Sequence, residues 1–245
     1  DDARSVLLAF AQAMTRGVLP NRFADAGETA EYNTVDATLW FFEALRAYVE
    51  ATGDFGIVRD HLFESLEESV EWHIRGTWHG IQMDDDGLLQ AGEAGVQLTW
   101  MDAKVGDWVV TPRHGKPVEI QALWYNALCV MRDFAAQLGL STRRAHYASL
   151  AGQSRESFNA AFWNEPTGCL LDCVAPQGVR DAAIRPNQLF AISLEHAVLD
   201  RARWAEVLAA TEEHLLAPLG LRTLSPADTR YQGRFEGGPR ERDGA

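Results

Sequence analysis

The sequence contains no apolar run approaching the roughly 20 residues that a membrane-spanning helix requires, so no transmembrane helix is expected. Basic residues are scarce, 22 against 35 acidic ones, and the formal net charge is −13 at pH 7. A basic face supplies much of the affinity for nucleic acid and for anionic membrane surfaces. Neither is expected as a partner, and the charge suits a neutral substrate. The opening stretch, DDARSVLLAFAQAM, lacks the basic n-region of a signal peptide. Cysteine is limited to Cys129, Cys169 and Cys173, an odd count that excludes a disulfide framework. The pair in CLLDC has no second pair, and the seven histidines show no ligand spacing, so no metal site is expected. There is no Gly-rich phosphate loop, no G-x-S-x-G and no H-E-x-x-H. These absences point to reduced structural thiols in a cytoplasmic protein with no cofactor.

Tryptophan, in contrast, is abundant: Trp40, Trp72, Trp78, Trp100, Trp108, Trp124, Trp163 and Trp204. Several fall at or near the ends of expected helices. Indoles pack well in any half-buried position. Their flat faces also stack on the apolar faces of sugar rings, and their clustering near loops favours a carbohydrate site.

Apolar periodicity predicts helices almost throughout. The clearest covers about 118 to 138, where Ile120, Leu123, Trp124, Ala127, Leu128, Met131, Phe134, Ala135 and Leu138 form one stripe. Gly139 closes it, and Ser141 or Thr142 is the expected next N-cap. Other helices are expected near 3 to 14, 34 to 50, 55 to 78, 142 to 163, 187 to 199 and 201 to 216. Strand alternation is absent apart from the short DWVV.

The connections alternate between tight turns (ATGD, LGLS, LDRA) and long joins at about 15 to 33, 79 to 117 and 164 to 186. In an up-and-down helical array every second connection lies at the same end. The long joins should therefore gather on one face, and loops of that length are usually functional. The pattern predicts an all-α fold of helical hairpins, a toroid or α/α barrel with its site in the loop-built mouth. A solenoid is the competing architecture, but no fixed-period repeat is visible. About seven helices are too few to close six hairpins, so residues 1–245 are expected to be a partial domain.

Each long join carries polar groups beside aromatics. In the first, Thr34 is placed as an N-cap, and Asp36 falls in the first helical turn with Trp40 one turn later. Asp36 either complements the helix dipole or binds sugar hydroxyls at the mouth. In the second, Asp102 follows Trp100 and Met101, and partial desolvation there would raise its pKa, as a general acid requires. The alternative is a turn cap, or a pair with Lys104 or Arg113. Asp107 reads as a turn residue. Lys116 is a binding cation or a solvated one, and Glu119 has the same helix-dipole alternative as Asp36. In the third, Arg185, Asn187 and Gln188 sit at a helix start, where amides recognise hydroxyls or cap the helix.

Four linked motifs, PNRF…YNTVDATLWFF, LTWMDAKVGDWVVTPRHGKPVEIQALWYNAL, IRPNQLFAISL and YQGRFEGGPRERDGA, together resemble the amylo-α-1,6-glucosidase module of glycogen debranching enzymes. The resemblance runs in order along nearly the whole chain. It implies an (α/α)6 barrel that hydrolyses the α-1,6-linked glucose left at a trimmed branch point of an α-glucan, with inversion. By likeness to the GWD motif of toroidal glycosidases, Asp102 of TWMD is the general acid. Tyr32, Asn33, Asp36 and Trp40 would line the glucose subsite. Arg22, Trp100, Lys104, Lys116, Glu119, Asn187 and Gln188 complete the substrate-binding candidates. The family's base is expected beyond Ala245, with Glu236 and Asp243 as fallbacks inside the chain, and no glucanotransferase module is apparent.

Three rival readings remain open. One is another toroidal carbohydrate enzyme: an α-glucosidase, a trehalase-like hydrolase, or an epimerase using His79 and His114. The others are a silent glycan-binding module and a purely structural helical array. The last leaves the tryptophan-bearing loops without a purpose.

Overall fold

The structure, a computed structural model, describes residues 2–23, 30–93 and 95–243. Its centre is the helix that the apolar stripe predicts, Val118–Gln137, but burial extends well beyond that stripe. Glu119, Gln121, Asn126 and Cys129 are buried along with the apolar residues, so nearly the whole circumference is enclosed. A helix in this position must satisfy its polar side chains internally. Gln121 does so against a loop: its Nε2 donates to the Leu89 carbonyl (2.7 Å), and its Oε1 accepts the Leu89 amide (2.8 Å). The Trp124 indole donates to the Gly87 carbonyl (3.1 Å). Asn126 donates to Glu43 Oε2 (2.9 Å) and accepts the His196 amide (3.1 Å).

In chain order the helices are α1 (Asp2–Gln12), α2 (Asp36–Thr52), α3 (Phe63–Arg75), α4 (Val118–Gln137), α5 (Ser141–Ala161), α6 (Phe190–Ser193), α7 (Trp204–Leu215) and α8 (Pro239–Asp243). A single π turn, Val58–Leu62, leads into α3. Helix α4 packs against α5, α2, α6 and α3, which makes it the hub of the array. Tight turns join α2 to the π turn and α4 to α5. Gly139 takes the left-handed conformation in the second of these (φ 73°). Neither Ser141 nor Thr142 is the N-cap: the cap residue is Leu140, Ser141 is already helical, and no side chain caps α5. Nor is Thr34 the N-cap of α2, which is Val35, although Thr34 Oγ1 accepts the Ala37 amide (3.3 Å).

The long connections bond to one another. The Val35 amide donates to the Leu98 carbonyl (2.8 Å), joining the first to the second. The Trp78 indole and Thr77 hydroxyl reach back to the Thr15 and Arg16 carbonyls. Lys116–Pro117 pairs antiparallel with Cys173–Val174, which pairs with Arg180–Asp181, joining the second to the third. Gly115 precedes this ladder with φ 108°, and a Cβ there would collide with the Val174 carbonyl. Two-residue ladders of this kind recur, including Lys104–Val105 with Trp108–Val109 in the DWVV segment. Such ladders are too short to produce the alternation by which strands are read from sequence.

The helix expected over 187 to 199 is not formed. Residues Pro186–Leu189 make a 3-10 turn, α6 ends at Ser193, and Leu194 turns extended (ψ 156°). Tertiary bonds override the local preference: Asn187 and Gln188 are buried and spend their amides on other segments, and the His196 amide goes to Asn126. The fold is helix-rich, as expected, but residues 194–203 form a longer join between α6 and α7 in place of the expected tight LDRA turn. Among the described residues, eight helices, two of them of four and five residues, do not make the twelve of a closed six-hairpin ring. Among the described residues no helix is long and apolar enough to cross a membrane. All three cysteines are free and buried.

Because Leu123 is fully buried on the hub helix, Leu123→Ala should destabilise the chain by about 2–5 kcal/mol. The fully exposed Leu219→Ala should change it by no more than about 0.5 kcal/mol. Denaturant unfolding of both variants checks the pair.

Candidate active site

Trp100, in the second long connection, is a wall shared by two cavities, one lined largely by residues of α2, α4, α6 and α7 and the other by the connections. The larger, about 820 Å³, is apolar and aromatic: Trp40, Trp100, Phe190 and Trp204 line it, with Asp36, Glu119, Asn187 and Ser193 as its polar members. The smaller, about 380 Å³, is polar, with Asp102, Thr111, Asp181, Arg185, Arg230 and Tyr231 around Trp100 and Met101.

Asp36 reaches the aromatic cavity because α2 begins there. Its Oδ1 accepts the Thr34 hydroxyl (2.5 Å) and the Ala37 amide (2.8 Å). Burial pushes its carboxyl above the ordinary range, and these bonds, with one from the Trp100 backbone, only partly oppose the shift. Trp40, one turn along α2, lies edge-on to Phe190 (centroids 5.3 Å, 79°) and stays 37% exposed. Trp100 is 48% exposed. Two indoles left this open in a cavity are suited to stacking on a flat, partly apolar ligand.

Trp100 is held by a buried polar chain. Its indole donates to Asn187 Oδ1 (3.0 Å), and Asn187 Nδ2 donates to Asp172 Oδ1 (2.9 Å) and to Met101 Sδ (3.3 Å). Asp172 Oδ2 accepts Arg113 Nε (2.8 Å). The same guanidinium grips Glu119 with both terminal nitrogens, Nη2 to Oε2 at 2.6 Å. Arg113, Glu119 and Asp172 are all at most 6% exposed. Burial opposes the charge on Arg113, but the two carboxylates outweigh it and push the guanidinium above its usual range.

The structure separates the sequence candidates. Asp36, Trp40, Trp100, Glu119 and Asn187 meet in the aromatic cavity, while Asp102 joins Trp100 in the polar one. Asp102 is exposed, not desolvated beside Trp100 and Met101, and it pairs with neither Lys104 nor Arg113. Lys104 is exposed and donates to the Gly95 carbonyl (3.2 Å). Lys116 is held by Asp84 (2.9 Å) and Asp86 (2.6 Å), outside both cavities. Glu119 is committed to Arg113 and is the aromatic cavity's floor rather than a free ligand group. Gln188 is buried, accepts the Leu170 amide (3.1 Å), donates to the Arg185 carbonyl (3.2 Å) and lines neither cavity. Arg22 is exposed and bonds Glu31 (3.1 Å). Tyr32 donates to the Ala13 carbonyl and stacks on Trp78. Asn33 is half-buried with Oδ1 unpartnered, and it too lines neither cavity. Glu236 is exposed beside Arg234 (3.6 Å), and the side chain of Asp243 lies outside the described residues.

Several site residues carried no sequence signal of their role. Asp172 sits in the apolar CLLDC segment, where a buried carboxylate needs a cation that spacing alone does not reveal. Asp181, Arg230 and Tyr231 reach the polar cavity from the third connection and from the segment after α7. Among the described residues no group of three or more His, Cys, Asp or Glu converges on a metal position.

Aromatic walls, carboxylates and loops at one end of helical hairpins are the features of a glycosidase, and the chain belongs to such a family. The family model described as amylo-alpha-1,6-glucosidase matches residues 1–245. The glycogen debranching enzyme of Saccharomyces cerevisiae is 23% identical over 322 residues, covering 97% of this chain and 21% of the relative. The periplasmic trehalase of Salmonella typhimurium is 30% identical over 127 residues, 51% of this chain and 22% of the relative. The chain thus spans about a fifth of the length of these relatives. Among solved structures, a GH78 family rhamnosidase of Bacillus sp. GL1 superimposes with a TM-score of 0.64 at 17% identity. It covers 91% of this chain and 23% of that one. A rhamnosidase from Klebsiella oxytoca with rhamnose bound gives 0.61 at 16%, covering 86% and 37%. Both are likenesses of fold.

Removing the hub cation strands two buried carboxylates, so Arg113→Met should cost about 3–5 kcal/mol in denaturant unfolding. Asp36 has a raised carboxyl pKa in the folded chain, so folding favours its protonated form. Its contribution to stability is therefore present below the ordinary value of 3.8 and is lost as pH rises through the folded value. Asp36→Asn should remove that loss, and melting temperatures measured from pH 3 upward should converge with those of the parent at the acid end.

Proposed function

We propose that this site belongs to an inverting glycosidase that removes α-1,6-linked glucose from the branch points of glycogen or a related α-glucan. The observation that carries the reading is the pair of cavities meeting at Trp100, one aromatic with a carboxyl at its edge, the other polar and containing Asp102, in a chain of this family. The terminal glucose stacks on Trp40 and Trp100, with Asp36 bonding its hydroxyls. Asp102 delivers a proton to the glycosidic oxygen as the bond breaks. Water attacks the opposite face of the sugar, activated by a carboxylate that inverting enzymes place about 6.5–9.5 Å from the acid. Glu236 lines neither cavity, so the base is sought elsewhere in the full-length protein. The ring of helices that would complete the mouth is an (α/α)6 toroid. Three free, buried thiols support a cytoplasmic setting.

A trehalase-like hydrolase is the second reading, favoured by the 30% identity to the Salmonella enzyme over half of the chain. It would use the same acid on a glucose-to-glucose bond.

Glucose release from a branched limit dextrin by the full-length protein tests the first reading, with trehalose and linear maltooligosaccharides in parallel. Asp102→Asn should lower release by about 10²–10⁴-fold with an unchanged melting temperature. Unaltered turnover would remove Asp102 from the acid role, and release from trehalose alone would favour the second reading.

A further inference from the structure

We propose that the polar cavity holds the part of the glucan on the leaving side of the scissile bond, and that Arg185 is the residue selecting for it. The inference rests on the glycosidase reading above and goes beyond it by dividing the substrate between the two cavities. Its basis is positional. A general acid must touch the glycosidic oxygen, which departs with the leaving sugar. Asp102 lines the polar cavity and not the aromatic one, while Trp100 lines both. The bond that Asp102 serves therefore lies at the lip beside Trp100, with the terminal glucose on the aromatic side and the remainder on the polar side.

Arg185 is the unusual group in that second space. Only 6% exposed, it donates Nη1 to the Thr223 carbonyl (3.1 Å). Its Nε is buried with no hydrogen-bond partner, 3.6 Å from Asp172 Oδ2. Asp172 has already committed its oxygens to Arg113 and Asn187 at 2.8 and 2.9 Å. Burial lowers the affinity of Arg185 for its proton, and the nearby Arg113 and Arg230 add to that effect against Asp172. The fold thus holds at the cavity wall a cation that it does not fully compensate, with Nη2 available to an incoming acceptor.

The cavity's charges indicate the chemistry of that acceptor. Arg230 is bonded to Asp181 (3.2 Å) and Asp228 (2.8 Å), and Asp172 lies 3.6 Å from Arg185, so carboxylates accompany both cations while Asp102, holding its proton, is neutral. A balanced wall gives no preference for phosphate or carboxylate. It suits neutral hydroxyls, which accept from a guanidinium and donate to carboxylates in the same contact. A volume of about 380 Å³ lies at the small end of ligand sites and fits a short stretch of sugar.

The test compares two substrates on the full-length protein: branched limit dextrin, which fills both cavities, and α-glucosyl fluoride, which has no sugar on the leaving side. For Arg185→Met, kcat/KM on dextrin should fall about 10–100-fold relative to that on the fluoride. Arg185→Lys should lie between. Gln232→Ala alters an exposed wall residue, and should lower the same ratio by about 2–10-fold. If Arg185→Met fails to fold in a thermal melt, the other two variants decide. A purely structural role would lower both rates together, and an unchanged ratio in these variants overturns the assignment while leaving the glycosidase reading intact. If the unsubstituted protein hydrolyses neither substrate, the glycosidase reading itself falls and takes the subsite with it.

Discussion

The buried guanidinium of Arg113 is the constraint on which the rest of the structure depends. It is shared between Glu119 in the first turn of α4 and Asp172 in the third long connection, with none of the three open to water. Charges buried this way persist only when each has its partner, because the desolvation cost is otherwise uncompensated. The triad therefore fixes the distance between the hub helix and the connection that crosses its end. The ladder from Lys116 through Val174 to Arg180 continues the same join in backbone hydrogen bonds. Asn187 and then Trp100 inherit their positions from Asp172. The wall between the two cavities is thus set by an ion pair that touches neither ligand space freely.

That arrangement separates two requirements that conflict in one volume. On the proposed reading, stacking on a sugar face needs apolar, open indoles, which Trp40 and Trp100 would supply. Proton delivery and recognition of hydroxyls need polar groups, and Asp102, Arg185 and Arg230 lie on the other side of Trp100. Asp36 and the Arg113-bound Glu119 are the exceptions, carboxyls in the aromatic cavity, and burial pushes both above the ordinary carboxylate range.

Much of the fold was legible because it rests on periodicity and punctuation. The α4 stripe and Gly139 follow from local chemistry, and the structure retains both, whereas the alternation of short and long connections breaks where α6 ends early at Ser193 and leaves a ten-residue join to α7. What failed depended on contacts far apart in sequence. Lys116 reads as a loop cation until Asp84 and Asp86, some thirty residues earlier, are found against it. Gln188 reads as a sugar-binding amide until it is seen holding the Leu170 amide. The helix expected over 187 to 199 was lost to tertiary bonds of the same kind. The candidate site was legible as a neighbourhood, since loop aromatics beside carboxylates carry a compositional signal. Its division into two cavities was not, because only the folded chain reveals that Trp100 stands between them.

The placement of the indoles also has an optical consequence. Of the eight tryptophans, Trp40 and Trp100 alone are more than a third exposed, while the other six are buried or half-buried. The solvent-sensitive part of the fluorescence thus arises at the cavity walls, and quenching by a small polar solute acts there first. On the proposed reading, the unmodified chain carries its own reporter of cavity occupancy.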